Sequence, residues 1–203
     1  TTLLTVMFGV YAAGIALPLS IPGRPKLQTL LAHGCAGVAA ALGIVVGVAG
    51  LSADPLTLAW SSSIPLLTFA VPLDALAWFF LLTISLVGVA AAVYAVGYLR
   101  HVPPYVSPAV VGALFNAFLC AMALVVLADN GFLFLIAWEL MSLVSYLLVV
   151  TYHEDPEVRH AGFLYLVMTH IGTMFIVVTF LLLFQEGGTF SFEAFRHPEQ
   201  ALP

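Results

Sequence analysis

The chain has 203 residues, of which 63% are hydrophobic and 7% are charged, and its formal net charge is -5. A soluble domain needs about a quarter of its residues charged to cover its surface. The composition therefore excludes a soluble globule and indicates an integral membrane protein. The negative balance also argues against nucleic acid as a partner, because no basic patch is available to neutralise phosphates.

Six apolar segments are long enough to span a bilayer. They cover residues 3–20, 27–51, 75–99, 109–128, 131–150 and 161–184. We therefore predict an all-α membrane protein with about six transmembrane helices, in a single transmembrane domain that covers residues 1–203. Residues 185–203 are more polar and predict an outer connector with a short amphipathic turn around Phe192, Phe195 and Arg196.

The connection between the second and third helices, residues 52–74, is too long for a simple turn. Apolar residues 56–60 and 66–71 flank a serine-rich stretch, and this pattern predicts a short hairpin on the outer surface. Asp74 comes directly before the third helix, where a carboxylate stabilises a helix N-terminus. In the second helix, Gly43 and Gly47 are four residues apart, which predicts close helix packing.

The basic residues predict the orientation of the chain. Arg24 and Lys26 lie between helices 1 and 2, Arg100 between helices 3 and 4, and Arg159 between helices 5 and 6. These three connections share one side of the membrane, and Arg196 alone lies on the other. Basic residues favour the cytoplasmic side, so the pattern predicts a protein of the inner (cytoplasmic) membrane with its N-terminus outside.

Glu139 is a single carboxylate within the fifth apolar segment. Counted from Gly131 at ~1.5 Å per residue, it lies about 12 Å deep, close to the middle of a hydrocarbon core that is ~30 Å thick. Acids at this depth are costly and are functional by default. We therefore predict that Glu139 handles protons. The structural alternative is an acid bonded to nearby hydroxyls, with Ser142 one turn along the same face.

His170 is the second candidate for proton transfer. It lies about 13–14 Å from Ala161 at ~1.5 Å per residue. Because helices 5 and 6 enter the membrane from opposite sides, His170 reaches a depth similar to that of Glu139. An imidazole gains and loses a proton near neutral pH. The alternative is a packing histidine with Thr169 or Thr173 beside it.

Two further polar residues lie inside apolar helices: Asn116 in the middle of helix 4 and His33 in helix 2. Either can hold water or bond across helices, and a structural role is the preferred interpretation of both. The sequence contains no glycine-rich phosphate loop, Ser/His/Asp set, zinc-ligand spacing or haem attachment motif. We therefore expect no catalytic residue, no cofactor and no metal.

Residues 128–148, which include Trp138-Glu139-Leu140-Met141-Ser142, resemble the antiporter-like membrane subunits. Respiratory complex I, multisubunit Na⁺/H⁺ antiporters and membrane-bound hydrogenases share this family. The resemblance extends through residues 73–76, 115–118 and 186–192. Residues 159–173 are similar to the large membrane subunit of hydrogenase-4 and formate hydrogenlyase. Complex I counterparts carry arginine where His170 stands and aspartate where Thr173 stands.

The resemblance implies a fold of about fourteen helices with two inverted repeats, of which this chain holds the N-terminal portion. It implies that Glu139 pairs with a lysine on a seventh helix, which this chain lacks, and that other membrane subunits are its partners. The implied function is proton translocation in a membrane-bound hydrogenase or a related oxidoreductase complex. The alternatives are a Na⁺/H⁺ antiporter, an ion-coupled carbon-uptake subunit and a non-conducting structural fragment.

Overall fold

The computed structural model describes residues 2–52, 56–60 and 69–196. Six long helices occur in the described chain: α1 (Thr2–Leu19), α2 (Pro25–Leu51), α3 (Ala75–Tyr98), α4 (Pro108–Leu127), α5 (Gly131–Val149) and α6 (Pro156–Gly187). The 3₁₀ turns Leu99–His101 and Val150–Tyr152 follow α3 and α5, and a short helix, α7, covers Phe192–Arg196. All six long helices are long and apolar enough to cross a membrane. The predicted six-helix membrane fold is therefore confirmed.

A two-stranded antiparallel sheet connects α2 to α3. Its strands are β1 (Leu56–Trp60) and β2 (Phe69–Leu73), with Leu56 opposite Leu73 and Trp60 opposite Phe69. The predicted hairpin is confirmed, but its second strand lies at residues 69–73 and not at 66–71. Residues 61–68, which include the predicted serine-rich turn, lie outside the described residues. Pro72 is compatible with this strand because both strands of a two-stranded sheet are edge strands.

The sixth helix begins earlier than its hydropathy predicts. It starts at Pro156, whereas the apolar segment starts at residue 161. Asp155 caps this start, since its Oδ1 accepts a hydrogen bond of 2.8 Å from the Glu157 N–H, and proline suits the first helical position. The charged residues of the first turn lower the hydropathy of this part of the helix, so a search for apolar segments does not include it. At the other end Gly188, with a φ of 66°, terminates α6.

Helices α1 to α4 pack around one core, which we call the α1–α4 block. Small residues allow its helices to approach closely. A Cβ atom at Gly43 would overlap Ser85 Oγ, and one at Gly47 would lie 3.2 Å from the backbone nitrogen of Leu82. The close packing predicted for Gly43 and Gly47 is therefore the contact between α2 and α3.

Helix α5 packs on α4, and α6 packs mainly on α5. We call these two helices the α5–α6 arm. Residues 188–196 fold back onto the start of α5, where the Gly131 N–H donates to Phe190 O at 2.8 Å and the Phe192 N–H donates to Asp129 O at 3.0 Å. Phe180 of α6 contacts the rings of Phe192 and Phe195.

The segment predicted as a polar connector thus begins inside α6 and then forms an aromatic cap. The phenylalanines of residues 188–196 gain apolar contacts on α5 and α6, and this gain outweighs the polar residues between them. The predicted turn near Phe192 and Phe195 is the short helix α7.

Candidate functional site

Glu139 and His170 meet in the seam between α5 and α6. Glu139 Oε2 lies 3.5 Å from His170 Nε2. Glu139 is eight residues from the start of α5, which is about 12 Å along the helix axis at ~1.5 Å per residue. The structure therefore brings together the two residues that the sequence places at similar depth.

A backbone hydrogen bond determines which nitrogen of His170 carries hydrogen. Its Nδ1 lies 2.9 Å from the carbonyl oxygen of Leu166. A carbonyl only accepts hydrogen bonds, so Nδ1 is the donor and carries the hydrogen. Nε2 then faces Glu139 either as the lone pair of a neutral ring or as the second N–H of an imidazolium. Any proton that the pair shares therefore lies between Nε2 and Oε2, since Nδ1 is engaged with the backbone.

Contacts along the seam fix the rotation of the two helices. Near one end, Gly162 of α6 packs so closely on Val150 that an added Cβ would overlap Val150 Cγ1. Near the other end, a Cβ at Gly131 would lie 3.2 Å from the ring of Phe180. Between them, the Tyr165 hydroxyl donates to Ser145 Oγ at 2.9 Å. This set of contacts turns Glu139 and His170 toward each other.

The pair is not enclosed by the described part of the chain. The Glu139 side chain is 34% exposed and the His170 side chain is 40% exposed. A carboxylate at this depth is costly when it faces lipid, and such acids face protein or water-filled cavities. The open side of the seam thus leaves both side chains accessible in the described chain.

Nearby hydroxyl groups bond within their own helices and not to the carboxylate. Thr169 Oγ1 donates to Tyr165 O at 2.7 Å, and Thr173 Oγ1 donates to Thr169 O at 3.1 Å. Ser142 is buried. Among the described residues, no hydroxyl hydrogen-bonds to Glu139, so the geometry gives no support to an acid held by hydroxyls.

Asn116 lies in the α1–α4 block and not in the seam. Its fully buried Nδ2 donates to Ala32 O at 2.9 Å and to Gly112 O at 2.8 Å, which joins α4 to α2. Its Oδ1 has no hydrogen-bond partner among the described residues and lies against Gly14, where an added Cβ would overlap the amide. Asn116 therefore holds three helices of the block together.

Two other polar residues also lie away from the seam. His33 Nδ1 lies 2.9 Å from Thr29 O, and the imidazole stacks on Phe115 at 5.4 Å between ring centroids. Asp74 caps α3, where its Oδ1 accepts from the Ala77 N–H at 2.8 Å. Neither residue contributes to the carboxylate–imidazole pair. Within the described residues, no cluster of three or more His, Cys, Asp or Glu side chains could hold a metal ion.

The Ser145–Tyr165 hydrogen bond is the part of the seam that sequence reasoning missed. Ser145 lies six residues after Glu139, and Tyr165 lies five residues before His170. The depth count that matches Glu139 with His170 also matches these two residues. The signal was therefore present in the sequence, in the spacing of two hydroxyl-bearing residues.

The fold defines a class of protein: multi-pass integral membrane proteins built from a bundle of apolar helices. Residues 128–200, which contain α5, α6 and α7, match the family model described as NADH:quinone oxidoreductase/Mrp antiporter, TM. This match confirms the predicted resemblance to the antiporter-like membrane subunits.

Similar proteins agree with this family. Hydrogenase-4 component B of Escherichia coli (strain K12) is 35% identical over 124 residues, which is 61% of this chain and 18% of the relative. NADH-quinone oxidoreductase subunit L of the same strain is 34% identical over 124 residues, which is 61% of this chain and 20% of the relative. The matched segment thus spans about a fifth of the length of either relative.

A solved structure shows the same fold. A chain of the Mrp complex from Dietzia sp. DQ12-45-1b superposes with a TM-score of 0.68 at 21% sequence identity. The superposition covers 96% of this chain and 20% of the other chain. Nearly all of this chain therefore adopts a fold that occurs within a larger membrane subunit.

Proposed function

We propose that this chain is part of a proton-translocating, antiporter-like membrane subunit in which Glu139 and His170 hold and pass on a proton. The observation that carries the proposal is the distance of 3.5 Å between Glu139 Oε2 and His170 Nε2 inside the α5–α6 seam. Ionisable groups that pair at this depth are typical of proton relays.

The pair can exist in two charge states that differ by one proton. When the proton is present, it lies between Oε2 and Nε2; when it has left, a carboxylate faces a neutral imidazole. A positive charge that approaches Glu139 favours the ionised carboxylate, and its withdrawal favours proton uptake. The lysine that the family resemblance implies on a seventh helix would supply this charge at the open side of the seam.

We propose that the complete assembly is a membrane-bound hydrogenase or a related oxidoreductase complex. This subunit then lies in the inner membrane with its N-terminus outside. The similarity to hydrogenase-4 component B supports this choice. His170 and Thr173 also support it, because the family resemblance implies arginine and aspartate at these two positions in complex I subunits. The partners are then the other membrane subunits of the complex, with this chain as a non-catalytic, ion-translocating part.

The substitution Glu139→Gln tests the proposal because it keeps the size of the side chain and removes the group that can gain and lose a proton. In the complete complex, reconstituted in vesicles, we expect proton movement to fall about 100-fold or more, the low end of the range for a lost general acid or base. The control is Glu157→Gln, the same change at an exposed residue in the first turn of α6, which is expected to keep normal pumping. Unchanged pumping by an assembled Glu139→Gln complex would overturn the proposed role of Glu139 and favour a non-conducting structural role for this part of the subunit.

A Na⁺/H⁺ antiporter or an ion-coupled carbon-uptake subunit is the second candidate. The description of the matching family includes the Mrp antiporter, and the fold is that of a chain in an Mrp complex. Sodium-dependent proton movement in vesicles without any hydrogenase partner would favour this candidate. Nickel–iron subunits that co-purify with the protein would favour the first.

A further inference from the structure

A cleft of about 590 Å³ opens where the start of α2, the end of α3 and the start of α4 meet. It lies at the end of the bundle where the α3–α4 and α5–α6 connections also touch, since the Tyr98 and Tyr152 hydroxyls lie 2.7 Å apart. Its lining consists of Pro25, Lys26, Thr29, Leu30, Val96, Leu99, Arg100 and Pro108. The cleft is remote in the sequence from Glu139 and His170, and the proton site does not use it.

Two cations line this cleft in a chain that has few. The sequence has five Lys and Arg residues and a net charge of -5, yet both Lys26 and Arg100 lie here. Within the described part of the chain, neither forms an ion pair. The start of α2 adds partial positive charge, because Pro25 and Lys26 form its first turn and the side chain of Arg24 does not cap it.

The walls of the cleft are apolar. Leu30 is 59% exposed, and Val96, Leu99 and the two prolines complete an apolar surface between the helices. A small soluble anion would gain no contact energy from apolar walls. An amphiphile can contact both the cations and the apolar side chains. The volume lies within the ~300–1,000 Å³ of small-molecule sites.

We propose that this cleft binds an anionic phospholipid. Lys26 and Arg100 contact its phosphate, and an acyl chain lies along Leu30 and Val96. Basic clefts between transmembrane helices at the positively charged side of a membrane protein bind anionic headgroups, and the guanidinium of Arg100 can bind phosphate oxygens in a bidentate manner. The site does not depend on proton translocation.

The test uses the full-length protein in its complex, reconstituted in phosphatidylcholine vesicles. The vesicles contain a trace of phosphatidylglycerol with a photoreactive acyl chain, and mass spectrometry locates the label. We expect the label on Leu30, Val96 or Leu99, in excess over a phosphatidylcholine probe of the same acyl structure. Lys26→Gln and Arg100→Gln should each weaken labelling about five-fold, as expected for one basic residue near a membrane surface.

The control is Arg24→Gln, which removes the same charge two residues from Lys26 but does not change a residue that lines the cleft. It should label like the unchanged protein, and an equal loss with Arg24→Gln would mean that bulk surface charge attracts the lipid.

Equal labelling by the two probes, or an absence of label at the cleft, would overturn the proposal. Loss of labelling in millimolar inorganic phosphate, at matched ionic strength, would assign the cleft to a free anion. If Glu139→Gln pumps normally, the lipid result still stands, because labelling needs no transport.

Discussion

The helices of the α1–α4 block and of the α5–α6 arm are similarly apolar, but a larger share of their residues is buried in the block than in the arm. In the most apolar window of α4, 39% of residues are buried, whereas the corresponding share in α6 is 6%. The block closes on itself through small residues and interhelical contacts. The arm touches the block through α5 and leaves one face open beside Glu139 and His170. The part of the molecule that carries the titratable pair is thus the part with the fewest contacts of its own.

The first way to test this contrast is Gly50→Val, which is expected to have the largest effect. A Cβ at Gly50 would overlap the indole of Trp78, a ring that is itself buried in the core of the block. Overpacking of a closed core costs about 1–3 kcal/mol, and the rigid ring places this change at the upper end. The measurement is the free energy of unfolding in detergent.

The control for Gly50→Val is Gly172→Val in α6, because a Cβ there meets nothing within 4 Å. We expect it to leave the stability of the chain by itself unchanged. If both variants lose the same stability, the block and the arm are not packed differently and the comparison fails. If Gly172→Val destabilises only the complete protein, then another element covers the open face.

The second test is Gly162→Val, which acts on the seam of the arm. The added Cβ atom alone would overlap Val150 and touch Tyr146, so α6 has to move away from α5. Because α6 packs mainly on α5, we expect a stability loss of only about 1 kcal/mol, the low end of overpacking. Proton movement in vesicles should fall several-fold, since the gap between Glu139 and His170 widens. A stability loss as large as that of Gly50→Val, with normal proton movement, would contradict this expectation.

The smallest expected effect is that of Tyr165→Phe. It removes the hydroxyl that donates to Ser145 Oγ at 2.9 Å and keeps the ring. Hydrogen bonds between transmembrane helices are worth about 0.6 kcal/mol on average, so the unfolding free energy should fall by about that amount. Ser145→Ala should give the same loss, and the double variant should give no more than either single change. Additive losses would show that the two residues act through different contacts.

Much of the architecture was predictable because it depends on local composition. Apolar length predicted the six spans, and the pattern of residues 52–74 predicted the hairpin. The start of α6 was misplaced because Glu157 and Arg159 lower the hydropathy of its first turns. The capping signal Asp155-Pro156 was present in the sequence and identifies the correct start. The aromatic cap was missed because its phenylalanines are separated by polar residues and pack only across the chain.

The candidate site was predictable in depth but not in direction. A count of residues placed Glu139 and His170 at the same level. Whether they face each other depends on helix rotation, which Gly162 and Gly131 set through contacts that one sequence does not reveal. Similarly, the sequence indicated that Asn116 could bond across helices, but its acceptor, the carbonyl oxygen of Ala32, is a backbone atom that residue types cannot identify.

The length of α6 has a consequence for the shape of the protein outside the lipid. The helix has 32 residues, about 48 Å at ~1.5 Å per residue, against a hydrocarbon core that is ~30 Å thick. Even at the ~40° limit of the usual tilt, such a rod still spans about 37 Å along the bilayer normal. At least one end therefore projects past the acyl chains. Its first turns carry Glu157, Arg159 and His160, so the start of α6 is the end that favours the headgroup region and the water beyond it.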